Sequence, residues 1–248
     1  SLQPQATLPI DGLTPRRAID LLGQLRGGER AAVQARREQL VTALDIGEWL
    51  DTDGEKLSGG VKRLVSFAMA AVVPGRVVIL DEPTNDVDPV RRRLLWQAVR
   101  AIADEGSTVL LVTHNVVEAE KAVDRLAILD EGRVVAEGTP ALLKAGLEHE
   151  LKLELTLEPG QAAPAAASFV LRYLPNGTRA QAVVQASHAA QAIDWAQALR
   201  SSRTIGEFSL SPASLEDVYV DLVSTPTNDA PGVVPAASTE EVPHARAA

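Results

Sequence analysis

Apolar positions in the first third of the chain recur with helical spacing. Ala18, Leu21, Leu22 and Leu25 make one stripe behind Thr14-Pro15, a capping residue followed by a first-turn proline, and Gly27-Gly28 ends it. A second helix is expected over about 29–44, with Ala32, Val33, Leu40, Ala43 and Leu44 as its buried stripe. A third starts after Ser58-Gly59-Gly60 and runs through Phe67, Met69 and Ala71 until Pro74. From Arg76 the period changes. Val77-Val78-Ile79-Leu80 is an unbroken apolar run, the pattern of a strand buried on both faces of a parallel sheet. A helix over 89–105, a strand Thr108–Val112, a short helix near 116–122 and strands at 126–129 and 134–137 follow. Strand–helix alternation of this kind implies βαβ units.

The pattern shifts near His149. Leu151–Leu157 alternates, 159–167 is a Pro/Ala-rich linker, 169–173 and 180–185 read as strands, and 189–200 and 214–222 as helices. The residues after about Thr225 are rich in Pro, Ala, Ser and Glu without periodicity and read as a disordered tail. Residues 1–12, broken by Pro4, Pro9 and Asp11-Gly12, read as irregular.

Composition narrows the function classes. With 46% apolar residues in 248, a buried core is expected over most of the length. No window reads as a bilayer span. There is no Cys, which excludes disulfides and thiolate metal sites. A net charge of −9 argues against non-specific nucleic-acid binding, which needs clustered Lys and Arg. The densest basic run, Arg91-Arg92-Arg93, reads as a solvated helix start.

Three short patterns carry chemistry. Asp81 and Glu82 end the buried strand, at the sheet edge where open α/β folds place ligands. One carboxylate there can hold Mg²⁺ and its neighbour can orient or deprotonate water. Alone, the pair reads equally well as a solvated turn. Ser58-Gly59-Gly60 opens a helix, where free N–H groups suit an anion, although a lone S-G-G is more often an ordinary cap. His114 closes the second apolar strand, where an imidazole can hydrogen-bond a phosphate oxygen, although a lone strand-end His is more often a satisfied structural residue.

The order of these patterns resembles the ATP-binding cassette (ABC) ATPases. Pro4-Gln5 is similar to their Q-loop, Leu57–Gly60 to the signature motif, and Val77–Glu82 to the Walker B strand with its catalytic Glu. Asn85-Asp86-Val87-Asp88 is similar to the D-loop and His114 to the switch histidine. The resemblance covers roughly residues 3–140 and implies an α/β fold: an incomplete P-loop NTPase (RecA-like) parallel sheet with an α-helical subdomain and a small α/β C-terminal appendage. The implied divisions are 1–74 (Q-loop and helical subdomain), 75–148 (catalytic core), 149–224 (appendage) and 225–248 (tail).

Carried over, the resemblance gives Gln5 a contact with Mg²⁺ and the attacking water, and gives Ser58, Gly59 and Gly60 the γ-phosphate of an ATP held by a second subunit. It gives Asp81 the Mg²⁺, Glu82 the role of base, Asp88 communication across a dimer, and His114 the γ-phosphate. The partners it implies are a transmembrane permease subunit and a second nucleotide-binding subunit. The place it implies is the cytoplasmic face of a membrane, as a peripheral subunit. The ending Ser-Leu-Glu-Asp-Val-Tyr in 214–219 resembles drug-exporter ATPases of the ABC-2 type, so export is favoured. Soluble ABC proteins of translation or DNA repair, and a non-catalytic cassette remnant, are the alternatives.

Two departures stand out. Val61 occupies a position that is often Gln, and the D-loop is Asn-Asp-Val-Asp rather than Ser-Ala-Leu-Asp. No G-x-x-x-x-G-K-[ST] phosphate loop occurs in the chain, which opens on Ser1 without an initiator Met. The resemblance therefore implies N-terminal truncation before the Q-loop, a strand missing beside Val77–Leu80, and an inactive stretch of a hydrolysing parent.

Overall fold

The computed structural model describes residues 1–6 and 10–224, with side chains to Val220. The expected tail, 225–248, lies outside the described residues. The chain separates into two compact units, Ser1–Ala122 and Val123–Ala248.

The first unit opens with β1 (Leu2–Gln3), followed by α1 (Pro15–Leu25), α2 (Arg30–Leu44) and α3 (Gly59–Ala71). Then come β2 (Val77–Asp81), α4 (Pro89–Asp104), β3 (Thr108–Val112) and the single-turn α5 (Val116–Ala119). Local chemistry sets the helix ends. The Thr14 hydroxyl accepts from the Arg17 N–H, with Pro15 at the first helical position. Asp45, in the left-handed region at φ 54°, closes α2. The core is formed where α3 lies between the other helices and the sheet, and Phe67, Leu64, Ile19, Leu44, Leu80 and Leu95 are almost wholly buried in it.

β1, β2 and β3 make a parallel sheet in that order, with Gln3 opposite Leu80 and Leu80 opposite Leu111. The expected missing neighbour of Val77–Leu80 is thus a misplacement. β2 is the central strand, between the two-residue β1 and β3, and the outer edges of β1 and β3 have no strand partner among the described residues. One face of the sheet is covered, with Val78 and Leu80 buried. The opposite face leaves Leu2, Val77, Leu110 and Val112 about half exposed.

In the second unit β4 (Leu126–Asp130) and β5 (Arg133–Gly138) form an antiparallel hairpin, followed by α6 (Pro140–Lys144). Its turn places Glu131 and Gly132 at positive φ. β6 (Glu150–Leu157), β7 (Val170–Asn176), β8 (Arg179–Gln185), α7 (Ala189–Ser201), β9 (Ile205–Pro212) and α8 (Leu215–Ser224) complete the chain. The sheet here is antiparallel, ordered β7-β8-β6-β9. The alternation read on 151–157 puts Leu153, Leu155 and Leu157 into a core shared with Ala182, Val184, Ala192, Ala196 and Ile205.

β9 is absent from the sequence reading because its apolar residues change phase. Ile205 pairs with Leu157 and Phe208 with Leu155, and a register shift at Gly206 brings both to one face. A one-residue bulge is invisible to a period-two search.

Candidate functional site

Parallel pairing aligns the carboxyl ends of three strands. Gln5, Glu82 and His114 each follow their strand by one or two residues, so all three stand along one edge of the sheet. Glu82 is anchored by its N–H to the Val112 carbonyl at 2.9 Å and sits in the left-handed region at φ 46°. A non-glycine residue held there marks a place where surrounding contacts outweigh local preference.

Those contacts come from the segment after β3. The Glu82 carboxylate, 7% exposed, accepts the Thr113 hydroxyl at 2.9 Å on Oε2 and the His114 N–H at 2.8 Å on Oε1. His114 Nδ1 lies 2.6 Å from the same Oε1. With Nδ1 as donor, three of the roughly four acceptor positions of the carboxylate are filled, and one on Oε2 remains. The imidazole is mostly solvent-exposed, and its Nε2 has no protein partner among the described residues. Asp81, half-buried at the end of β2, likewise has no protein partner for its carboxylate. Among the described residues no cluster of three or more His, Asp or Glu side chains could hold a metal by itself. A single free carboxylate fits Mg²⁺, which takes few protein ligands and completes its shell with phosphate and water.

Ser58 caps α3, its hydroxyl accepting the Val61 N–H at 3.4 Å, and Ser58 and Gly59 are exposed. Gly60 is there for space: a Cβ on it would stand 2.4 Å from the Asp86 carbonyl oxygen. The start of α3 therefore packs on the 86–87 backbone, where Asp86 has φ 62°. Asp88 caps α4, accepting the Val90 and Arg91 N–H groups at 3.0 Å each. The Arg91 backbone N–H, and then its guanidinium, hold the Asp88 carboxyl below the usual carboxylate range. The Gln5 side chain is exposed, and it is the backbone of Gln5 that is held.

Arg63, on the buried side of α3, supplies that hold, donating to the Pro4 and Gln5 carbonyls at 3.2 and 2.6 Å. Gln3 returns a hydrogen bond to the Arg63 carbonyl at 3.3 Å. Arg63 and Thr113 were missed in the sequence. A buried Arg two positions beyond Val61 leaves a signal only in being an unpaired charge on an otherwise apolar helix face.

A family model described as an AAA domain, putative AbiEii toxin, Type IV TA system, matches residues 36–120. The daunorubicin/doxorubicin resistance ATP-binding protein DrrA of Streptomyces peucetius is 34% identical over 226 residues, covering 88% of this chain and 68% of that protein. The chain belongs to the ABC transporter ATP-binding family. The Nod factor export ATP-binding protein I of Burkholderia lata is 37% identical over 52% of this chain and 43% of its own length. A solved ATP-binding subunit of an ABC transporter superposes with a TM-score of 0.55 at 26% identity, over 58% of this chain and 60% of the other. The fold is the α/β, P-loop NTPase type with a parallel sheet, as expected. The segments similar to the Walker B, D-loop and switch motifs of ABC ATPases all lie in the first unit. Of the residues assigned from the resemblance, Glu82 contacts His114 and directly follows Asp81, Gly60 packs on Asp86, and the Gln5 backbone is tied to α3 through Arg63.

Proposed function

We propose that the chain supplies the hydrolytic residues of an ATP-binding subunit that energises an ABC exporter. The observation that carries this is the Glu82–His114 contact beside the free carboxylate of Asp81. In this reading Asp81 holds Mg²⁺, which neutralises phosphate charge when bound. Glu82 orients and deprotonates water through its remaining Oε2 lone pair, and His114 offers Nε2 to a γ-phosphate oxygen. Gln5, which follows β1 on the same sheet edge, would contact the metal and the water. The amides of Gly59 and Gly60 at the start of α3, with the Ser58 hydroxyl, receive the γ-phosphate of ATP on a second subunit, and Asp88 lies at that dimer contact. A transmembrane permease subunit is the other partner, which places the protein on the cytoplasmic face of the membrane. No helix among the described residues is long and apolar enough to cross a membrane. Relatives named for drug resistance and Nod factor export favour export over translation or repair.

The test is Glu82→Gln in the chain joined to a segment bearing a G-x-x-x-x-G-K-[ST] loop. Gln keeps the shape and removes the base, so steady-state ATP hydrolysis should fall by about 10²–10⁴-fold. Nucleotide binding should persist. Near-normal turnover of the variant would overturn the assignment.

A further inference from the structure

Two neighbouring arginines at the start of α4 both bond the 85–88 turn, Arg91 to the Asp88 carboxylate at 3.3 Å and Arg92 to the Val87 carbonyl at 2.9 Å. They are not the solvated helix start expected from the sequence, since only Arg93 of the triplet is exposed. Arg91 turns toward the helical part of the unit. It donates to the Asp45 carbonyl at 3.0 Å, pairs with Asp45 at 2.9 Å and Glu48 at 3.6 Å, and lies 4.6 Å over the Trp49 ring.

Arg92 turns the other way. One guanidinium nitrogen donates to the Val87 carbonyl at 2.9 Å and another to Glu118 Oε1 at 2.7 Å. Trp96 Nε1 donates to Glu118 Oε2 at 3.4 Å, so both carboxylate oxygens are fixed. Glu118 belongs to α5, which begins directly behind His114. Its N–H donates to Asn115 Oδ1 at 3.2 Å, and the Asn115 N–H donates to the Thr113 hydroxyl at 3.0 Å. That hydroxyl is the one bound to Glu82.

We infer that Arg92 is a positioning residue, coupling the 85–88 turn through Glu118 to the Glu82–His114 pair. The turn is also the surface against which Gly60 packs, so a shift of the signature helix reaches the carboxylate edge by this route. Arg suits the position because its planar fork spans two acceptors at once, and Lys, with one charged nitrogen on a flexible stem, does not. The Arg92 and Glu118 side chains are 31% and 26% exposed, so the pair is less screened than a fully exposed one. The functional meaning of this coupling rests on the hydrolytic reading of Glu82 and His114; the coupling itself does not.

It can be measured in the 248-residue chain without nucleotide. The His114 ring resonance, assigned with His114→Gln, and amide exchange at Asn85, Val87 and Glu118 are followed by NMR. Arg92→Gln and Glu118→Gln should each shift the His114 ring and speed exchange of these amides about tenfold, the loss expected for one charge-assisted hydrogen bond. The double variant should do no more than the larger single one. Arg92→Lys should fall between, and His188, in the second unit, should not move. An unchanged His114 ring in Glu118→Gln, or additive effects in the double variant, would overturn the coupling. Glu118→Gln is isosteric and carries the test if Arg92→Gln fails to fold. Because no measurement involves ATP, a failed hydrolytic assignment would leave this result standing.

Discussion

At the scale of single residues, the two signature glycines separate cleanly. A methyl group at Gly60 meets the Asp86 carbonyl oxygen at 2.4 Å, whereas at Gly59 its nearest neighbours stand at 3.8 Å. Replacing a helical glycine by alanine gains up to about 1 kcal/mol, and forcing atoms into an occupied site costs about 1–3 kcal/mol. Crowding wins at Gly60 and propensity wins at Gly59. Gly60→Ala should therefore lower stability in urea denaturation, and Gly59→Ala should leave it unchanged or raise it slightly. Equal effects at the two positions would contradict the packing of α3 on the 86–87 turn. The placing of Asp81, Glu82 and His114 at the ends of two strands was legible because residue type and order carry it. The contacts of Glu82 with Thr113 and His114 were not, since they depend on how β2 and β3 align.

Elements were legible wherever their period was local and unbroken. Helices α1 to α4 and strands β2, β3 and β6 fall where the stripes put them, within a residue or two at each end. β9 failed because a bulge shifts its phase, and the two-residue β1 is too short to carry a period. Other links between elements are visible only in space. Lys152 on β6 reaches Asp217 on α8 at 3.2 Å, sharing its charge with Glu154 at 3.3 Å. Burial pushes the Asp217 carboxyl up, but the Ser214 N–H and hydroxyl and then Lys152 outweigh it and hold the group below the usual carboxylate range. Burial likewise lowers Lys152, and the two carboxylates more than restore it.

The signs give a window. A depressed carboxyl stabilises the fold above its ordinary range, and this is lost as pH falls through the lowered value. A raised ammonium stabilises below its ordinary value and is lost as pH rises through the raised one. The second unit, followed by Trp195 fluorescence on heating, should lose stability below pH about 4 and again above pH about 10.5. Asp217→Asn should flatten both limbs. A melting temperature in that variant with the parent's pH dependence would show that the β6–α8 link contributes nothing.

For the whole molecule, a low nucleotide affinity is expected, because no phosphate-loop pattern occurs within the 248 residues. In the proposed reading the α3 start and Asp81 meet a γ-phosphate and its metal, whereas the sequence holds no G-x-x-x-x-G-K-[ST] loop for the β-phosphate. Calorimetric titration of the chain with Mg-ATP should show no micromolar site, and one would mean that other residues bind phosphate. What the sequence by itself determined is the family, the α/β class, the order of the elements other than β1, α6 and β9, and the chemical groups, because motif identity and hydrophobic period are local properties. Tertiary structure alone decided that β2 is central, with β1 and β3 as the edge strands. It also decided that Arg63 holds the Gln5 backbone and that Arg91 and Arg92 are ties between segments rather than a solvated run. Each of these pairs groups far apart in the chain, and no local pattern records which distant carbonyl or carboxylate a charged side chain will meet.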